Sequence, residues 1–518
     1  MNLRWWTLTR GDLDATIANV GFNLAQVIIP VFLLAPAGIS REFTVIHLLP
    51  GYALGYLVGS LGFLTLAVRL SKRENRRDAT AHVYGNNVPA ILSYTLFIML
   101  PVYLSTHDAV RAWQMGAAAV LWTGIIKLLA APFAGTIRRW IPVAASMTVF
   151  SAAMYSYLGM VLLQRIFDQP LIGMVALAIV LIGVLAHVPI TPWRLPPFLV
   201  AWIVPLGLGM AIGYVHPVWQ APTPGPPWAG AEAWRALFAV LPYMSVIAPL
   251  ASYEVLQDIA ATEGAAAAGD NYDARAVVAC DGMGTLTAGL AGSVVCPVVY
   301  AMHPSYKAMG ARLGFALWTP LTVLFVMVGG LAIFIAQLFP WSILAAMVAY
   351  VSVGVGLATL NRVDRRYHAA VLLGFLLPAG AVVSSAIGSA LPALRLSAAN
   401  AGVQNALNSS IYWSSIQGLG NGFLFLVLVV AAIVTEAVDR HFDRAAAWCV
   451  VAALFSWLGL MHSAVFRWGA QPLYAAGWLA AAVIVYSARW WRGDVLSYEN
   501  AAASRREAIT PATAPPPR

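Results

Sequence analysis

Three polar side chains interrupt an apolar stretch of the chain: Glu254, Gln257 and Asp258. Positions i, i+3 and i+4 share one face of a helix, so the three groups point the same way. An ionised Glu in that setting accepts a bond from a ligand N–H. A desolvated one binds and releases a proton near neutral pH. A carboxylate inside a membrane span costs about 2.5–3.5 kcal/mol even on insertion scales, which makes it functional by default. The rival reading is a helix that reaches water before Glu254, since about 20 residues, ~30 Å of helix, separate it from Trp234. Glu263 falls at the aqueous end of the same helix.

Two further sets of residues carry chemistry. Asn19, Asn23 and Gln26 recur at helical spacing on the first span, where they line a cavity or join helices. Two short segments then begin with helix-start signals. Asn87 can cap a helix whose first turn holds Pro89, and His303 precedes Pro304. Extended-looking runs lead into each, Ala81 to Tyr84 and Val294 to Tyr300. A polar start within an apolar stretch predicts a helix that begins inside the membrane, its N–H groups turned to an electron-rich ligand. The alternative is an ordinary loop that dips inward. Lys127 is expected to snorkel to the interface, and His47, His368 and His462 lie near span ends.

No Cys/His spacing suggests a metal, no nucleophile–base pair or phosphate loop appears, and three cysteines are too few for a disulfide framework. The expectation is a chain with no metal, no cofactor and no enzymatic centre.

The elements that must hold these residues are membrane helices. Of 518 residues, 60% are hydrophobic and 10% charged, with a mean hydropathy of +0.76. A soluble domain carries roughly a quarter of its residues as charges. Apolar runs of about 18–25 residues recur, each long enough to cross ~30 Å of hydrocarbon as a helix. Spans are expected near 17–34, 43–70, 89–104, 110–133, 141–163, 170–188 and 195–214. After a Pro-rich loop from His216 to Pro227 come 234–262, 276–292, a short segment from Pro304, 313–338, 341–360, 367–388 and 418–437. Two more follow near 445–462 and 470–488, then a disordered tail over 493–518. The pattern predicts an all-α polytopic membrane protein with a first repeat over 1–215, a second over 216–440 and two extra spans over 441–492.

The net charge of +9 sits in loops between spans, which sets nucleic acid aside as a partner and leaves the lipid bilayer and a small solute. Basic clusters at 69–77, 138–139, 307–312, 362–366, 440–444 and 489–492 fall on one side. The positive-inside rule then puts both termini in the cytoplasm of a multi-pass inner-membrane protein. Arg4 to Trp6 and Arg10 to Asp12 precede the first span with no small-residue cleavage site after it, the pattern of an uncleaved start.

Some of these runs are familiar. Arg77-Asp78-Ala79-Thr80-Ala81-His82-Val83-Tyr84-Gly85-Asn86-Asn87-Val88-Pro89 resembles the D-V-T-A-L-P-Y-G-I-N-T-P pattern of the xanthine/uracil permease family, the nucleobase–ascorbate transporters and related purine permeases. Gly292-Ser293, Pro297, Tyr300, His303-Pro304, Lys307-Ala308 and Gly310-Ala311-Arg312 resemble its G-S…P…Y…H-P…K-A…G-A-R run, and Ala267 to Asp270 a further A-A-G-D signature. The resemblance implies two inverted repeats of seven spans. Spans one to four and eight to eleven would form a core, the rest a gate. It implies two half-helices, proton-coupled nucleobase uptake, and a homodimer. Implied at the substrate site are Glu254, the backbone of Tyr300, and Asn87, with Gln257, Asp258, His303 and Asn23 nearby. Glu254 and Glu263 are the proton-coupling candidates, the second because the A-A-G-D subgroup carries its acidic residue nearer there. The other reading on the same fold is a carrier or exchanger of a small organic or inorganic anion, held by the two helix N-termini.

Overall fold

A segment that must satisfy every backbone N–H without water has to be helical, and helices dominate this chain. The computed structural model describes residues 8–186, 188, 197–219, 224–225, 229–300, 302–338, 340–394, 396 and 400–490. The expected tail therefore lies outside the described residues, as does half of the Pro-rich loop.

The first span is α1 (Arg10–Val27) continued by α2 (Ile29–Leu34), and the second is the 33-residue α3 (Arg41–Arg73). A short strand β1 (Tyr84–Asn86) leads into α4 (Val88–Tyr94), which runs through one π-turn into α5 (Leu100–Thr106) as a single 19-residue span. Next come α6 (Ala109–Ala130), α7 (Ala134–Trp140), α8 (Val143–Ser151), α9 (Gly159–Asp168), α10 (Pro170–Val180) and α11 (Pro197–Ala211). The second half holds α12 (Met244–Ala267), α13 (Ala274–Leu290), β2 (Pro297–Val299), the six-residue α14 (His303–Ala308), α15 (Phe315–Val328), α16 (Ala332–Gln337) and α17 (Trp341–Arg362). It closes with α18 (His368–Leu376), α19 (Ala379–Ala393), α20 (Ala401–Ile411), α21 (Trp413–Gly420) and α22 (Phe423–Val438). The additional C-terminal helices are α23 (Phe442–Trp457) and α24 (Pro472–Ser487).

Among the described residues, six continuous helices are long and apolar enough to cross a membrane. A seventh crossing is the α21–α22 pair, bent by 76° where Gly422 takes φ +71°. The protein is thus an all-α polytopic membrane protein with inverted-repeat-like helix packing: each half carries a strand followed by a helix at the corresponding place.

Two departures from the expected spans matter. Span eight does not start at Trp234: residues 229–236 and 241–243 form 3-10 turns, and the helix begins only at Met244. Glu254 consequently sits near the middle of a 24-residue helix and is fully buried, so the aqueous-end reading does not hold. Span four is longer than expected. The helical stretch continues unbroken from Ala109 to Trp140, and Lys127 lies well inside it.

The strands cross antiparallel at the centre of the molecule, pairing Tyr84 with Val299, Gly85 with Val298 and Asn86 with Pro297. Each repeat thereby satisfies the other's exposed backbone, which is what permits non-helical chain at this depth. Gly85 is required there: a Cβ on it would stand 2.2 Å from the Tyr300 ring. Helix α3 lies directly on α13, with Gly55 so close that a Cβ would meet the Gly284 carbonyl oxygen at 2.4 Å. Small residues allow this approach, which is how helices gain contact where lipid supplies no hydrophobic drive.

Candidate functional site

The strand crossing is surrounded by side chains from five elements. Lys127 of α6 is 0% exposed, and its ammonium is ion-paired with Glu254 of α12 and, at 2.8 Å, with Asp281 of α13. It also donates to Thr285 Oγ1 at 3.0 Å and to the Pro297 carbonyl at 3.2 Å. Asn87 Nδ2 donates to Glu254 Oε1 at 2.5 Å, while Asn87 Oδ1 accepts from Ala90 N at 3.3 Å and so caps α4. Tyr84 O–H donates to Asp281 Oδ1 at 2.8 Å. Asp258, one turn beyond Glu254, is fully buried beside Asp281.

Charge balance decides what this cluster can do. Glu254, Asp258 and Asp281 are all fully buried and share one ammonium. With all three ionised, two negative charges would stand uncompensated, each costing several kcal/mol in a low-dielectric interior. Acidic groups therefore outnumber cations at the strand crossing.

Beside it, a polar seam ties the first span to the strands. Asn19 Nδ2 donates to Tyr56 Oη and the Tyr84 carbonyl, both at 3.1 Å. Asn23 donates to Asn19 Oδ1 at 2.9 Å and accepts from Tyr52 O–H at 2.9 Å. Tyr56 and Tyr84 stack with centroids 5.4 Å apart. Tyr300 O–H reaches Gln26 Oε1 at 3.2 Å, and Gln257 Nε2 donates to the Val299 carbonyl at 2.9 Å. These partners are all within the protein, so Asn23, Tyr300 and Gln257 hold the strand crossing in place.

A second cluster lies towards the face that carries the basic loops. Asp270, in the loop between α12 and α13, is fully buried and accepts from Arg76 Nη2 at 2.5 Å, Lys307 Nζ at 2.9 Å and Thr80 N at 3.2 Å. His303 Nε2 lies 2.9 Å from its Oδ2. Burial pushes the Asp270 carboxyl up, but the bonds from His303, Lys307 and Arg76 outweigh it and hold the group well below the usual carboxylate range. His303 is thus turned away from the strand crossing. Glu263 pairs with Arg138 at 2.6 Å, one-third exposed, beside a cavity of about 570 Å³ that includes Asp273 and Arg275.

At the opposite face a cleft of about 480 Å³ runs between spans one and three on one side and α9, α17 and α19 on the other. Arg165 lines it, and an adjoining cavity of about 570 Å³ adds Arg41. Arg165 also pairs with Asp168 at 3.0 Å.

The tertiary fold brings Glu254, Asp258 and Asn87 into one cluster, places Gln257, Tyr300 and Asn23 around its supporting strands, and sets His303 and Glu263 elsewhere. Sequence reasoning missed Asp281 and Tyr84, and it misplaced Lys127, which does not snorkel because its helix continues past it. The signal available for Lys127 was the apolar run on both sides, Leu128 to Phe133 included.

No family model matches the chain, and no curated protein matches it. Solved structures do. The transmembrane domain of a cyanobacterium bicarbonate transporter, BicA, is 13% identical with a TM-score of 0.46, covering 73% of this chain and 96% of that one. A structure of SLC26A9 is 16% identical with a TM-score of 0.37, covering 74% and 69%. The murine Slc26a9 anion transporter in its inward-facing state is 13% identical with a TM-score of 0.44, covering 75% and 69%. What these structures share with the chain is a likeness of the membrane-embedded fold. One expectation is corrected here. The terms nucleobase transport, purine and xanthine/uracil permease do not stand, because the structures that match are bicarbonate and anion transporters.

Proposed function

We propose that this chain carries a small anion together with protons across the inner (plasma) membrane, with both termini in the cytoplasm and a second copy as partner. The observation that supports an anion is the opposite-face cleft with its adjoining cavity: Arg41 and Arg165 line it, and among the described residues no carboxylate does. Low-dielectric walls focus the field of such guanidinium groups and raise the local concentration of anions.

The central cluster supplies the coupling. An anion that reaches the capped start of α4 adds negative charge beside three carboxyls and one ammonium. Protonation of Glu254 or Asp258 lowers that cost, so anion and proton bind together and leave together. Asn87 holds Glu254 in position, and Lys127 keeps its charge throughout. The basic loops gathered around Asp270 and Glu263 support a cytoplasmic assignment for that face.

The test is uptake of labelled sulfate, succinate, bicarbonate and benzoate into proteoliposomes holding the full chain, with and without an inward proton gradient. Saturable uptake accelerated by the gradient is expected, and Glu254→Gln and Asp258→Asn should lose accumulation while keeping anion exchange. Uptake indifferent to the gradient would overturn the coupling, and silence towards every anion would overturn the reading.

A further inference from the structure

The opposite-face cleft has two unlike parts. Its charged part is Arg41 and Arg165, the second also paired with Asp168 at 3.0 Å. Its wall is apolar: Phe32 and Trp341 stand edge-tilted with centroids 5.6 Å apart, and Leu92, Leu96, Leu100 and Leu104 line it from one side. All four line the same cleft, so the leucines form a row of about 18 Å along span three. That row begins just beyond Asn87, the cap of α4.

A fully hydrated oxyanion gains nothing from such a wall, since leaving water beside leucine removes its hydrogen bonds without replacing them. An anion with an apolar body gains on both parts: its charge meets a guanidinium and its body buries against leucine and aromatic carbon. The cleft volume of about 480 Å³ is ample for a ring-sized body. From the juxtaposition of two arginines with this apolar row, we infer that the cleft binds organic monoanions carrying an apolar, ring-sized body, with the charged end on Arg41 and Arg165. This rests on the anion reading above and narrows it to a substrate class. Phe32, Trp341 and Leu96 then set selectivity among anions, and Arg165 sets affinity for all of them.

The experiment is ligand-induced thermal stabilisation of the detergent-purified full chain with acetate, butyrate, hexanoate and benzoate, alongside sulfate, bicarbonate and benzylamine. Affinity should rise about fourfold per added methylene, benzoate should bind at least tenfold more tightly than acetate, and benzylamine should give no shift. Arg165→Gln should weaken every carboxylate at least tenfold, and Phe32→Ser should flatten the series while leaving acetate in place. The wild-type series decides the matter even if a variant fails to fold. Stabilisation by sulfate or bicarbonate with no dependence on the apolar body would overturn this inference and leave the anion reading standing. An equal shift with benzylamine would overturn it as well, by showing that the wall binds without the arginines. No shift with any anion would overturn both.

Discussion

Two buried polar clusters lie along the same core, and their stoichiometries are inverted. At the strand crossing one ammonium, Lys127, is paired with Glu254 and Asp281, and a third buried carboxyl, Asp258, lies beside them. Near the basic face one carboxylate, Asp270, faces Arg76, Lys307 and His303. The first is short of positive charge. The second is fully compensated and ties loops from the two halves together: Tyr272 O–H reaches the Thr80 carbonyl at 2.5 Å and Thr80 Oγ1 the Ala311 carbonyl at 2.6 Å. On the proposed function, the excess of carboxyls at the first is what exchanges protons, whereas the matched set at the second acts as a latch.

Removing the lone central cation is the most severe way to break that contrast. Lys127→Met leaves Glu254 and Asp281 facing one another without an ammonium and should cost about 3–5 kcal/mol, read as loss of folded yield or a lowered melting temperature. If Glu254→Gln added to Lys127→Met restores stability, the cost lay in uncompensated charge and not in packing.

At the other cluster, Asp270→Asn leaves two cations with one neutral acceptor and should cost about 2 kcal/mol. Its pH dependence has a fixed sign. The folded carboxyl sits below its unfolded value, so its contribution is complete above the ordinary Asp pKa of about 3.9 and disappears as pH falls through the folded value. Denaturation midpoints should therefore fall between pH 5 and pH 3 in the wild type, and less steeply in Asp270→Asn. Transport coupling in Asp270→Asn should keep its proton dependence; loss of that dependence would erase the distinction between the clusters.

Tyr84→Phe removes one donor to Asp281 and should cost about 1–2 kcal/mol, read as a lowered melting temperature. The smallest effect is expected at Glu263, whose partner Arg138 is 60% exposed. Glu263→Gln should change stability by less than about 0.5 kcal/mol and leave proton-driven uptake intact, as measured in the same proteoliposomes. Loss of coupling there would move the proton site to the basic face.

The helical spans were legible because hydrocarbon allows few alternatives, and the runs announce themselves in composition. The helix start at Asn87 was legible from a cap followed by proline. The site was legible only in part. Glu254 and Asp258 stood out because carboxylates in apolar stretches are rare, yet Asp281 stood equally deep and drew no notice without a partner in sequence. His303 carried the same start signal as Asn87, but α14 ends after six residues and its imidazole is claimed by Asp270.

The sequence alone determined that this chain crosses a bilayer as helices, where many of those helices lie, and that ionisable groups are buried among them. Only the tertiary structure decided how those groups divide. Lys127 lies 127 residues from Glu254 and 154 from Asp281 along the chain, and local periodicity says nothing about pairing at that range. Whether a buried carboxyl serves as a proton carrier or a latch depends on how many cations the fold brings to it, a number fixed by helix packing and by the crossing of two three-residue strands.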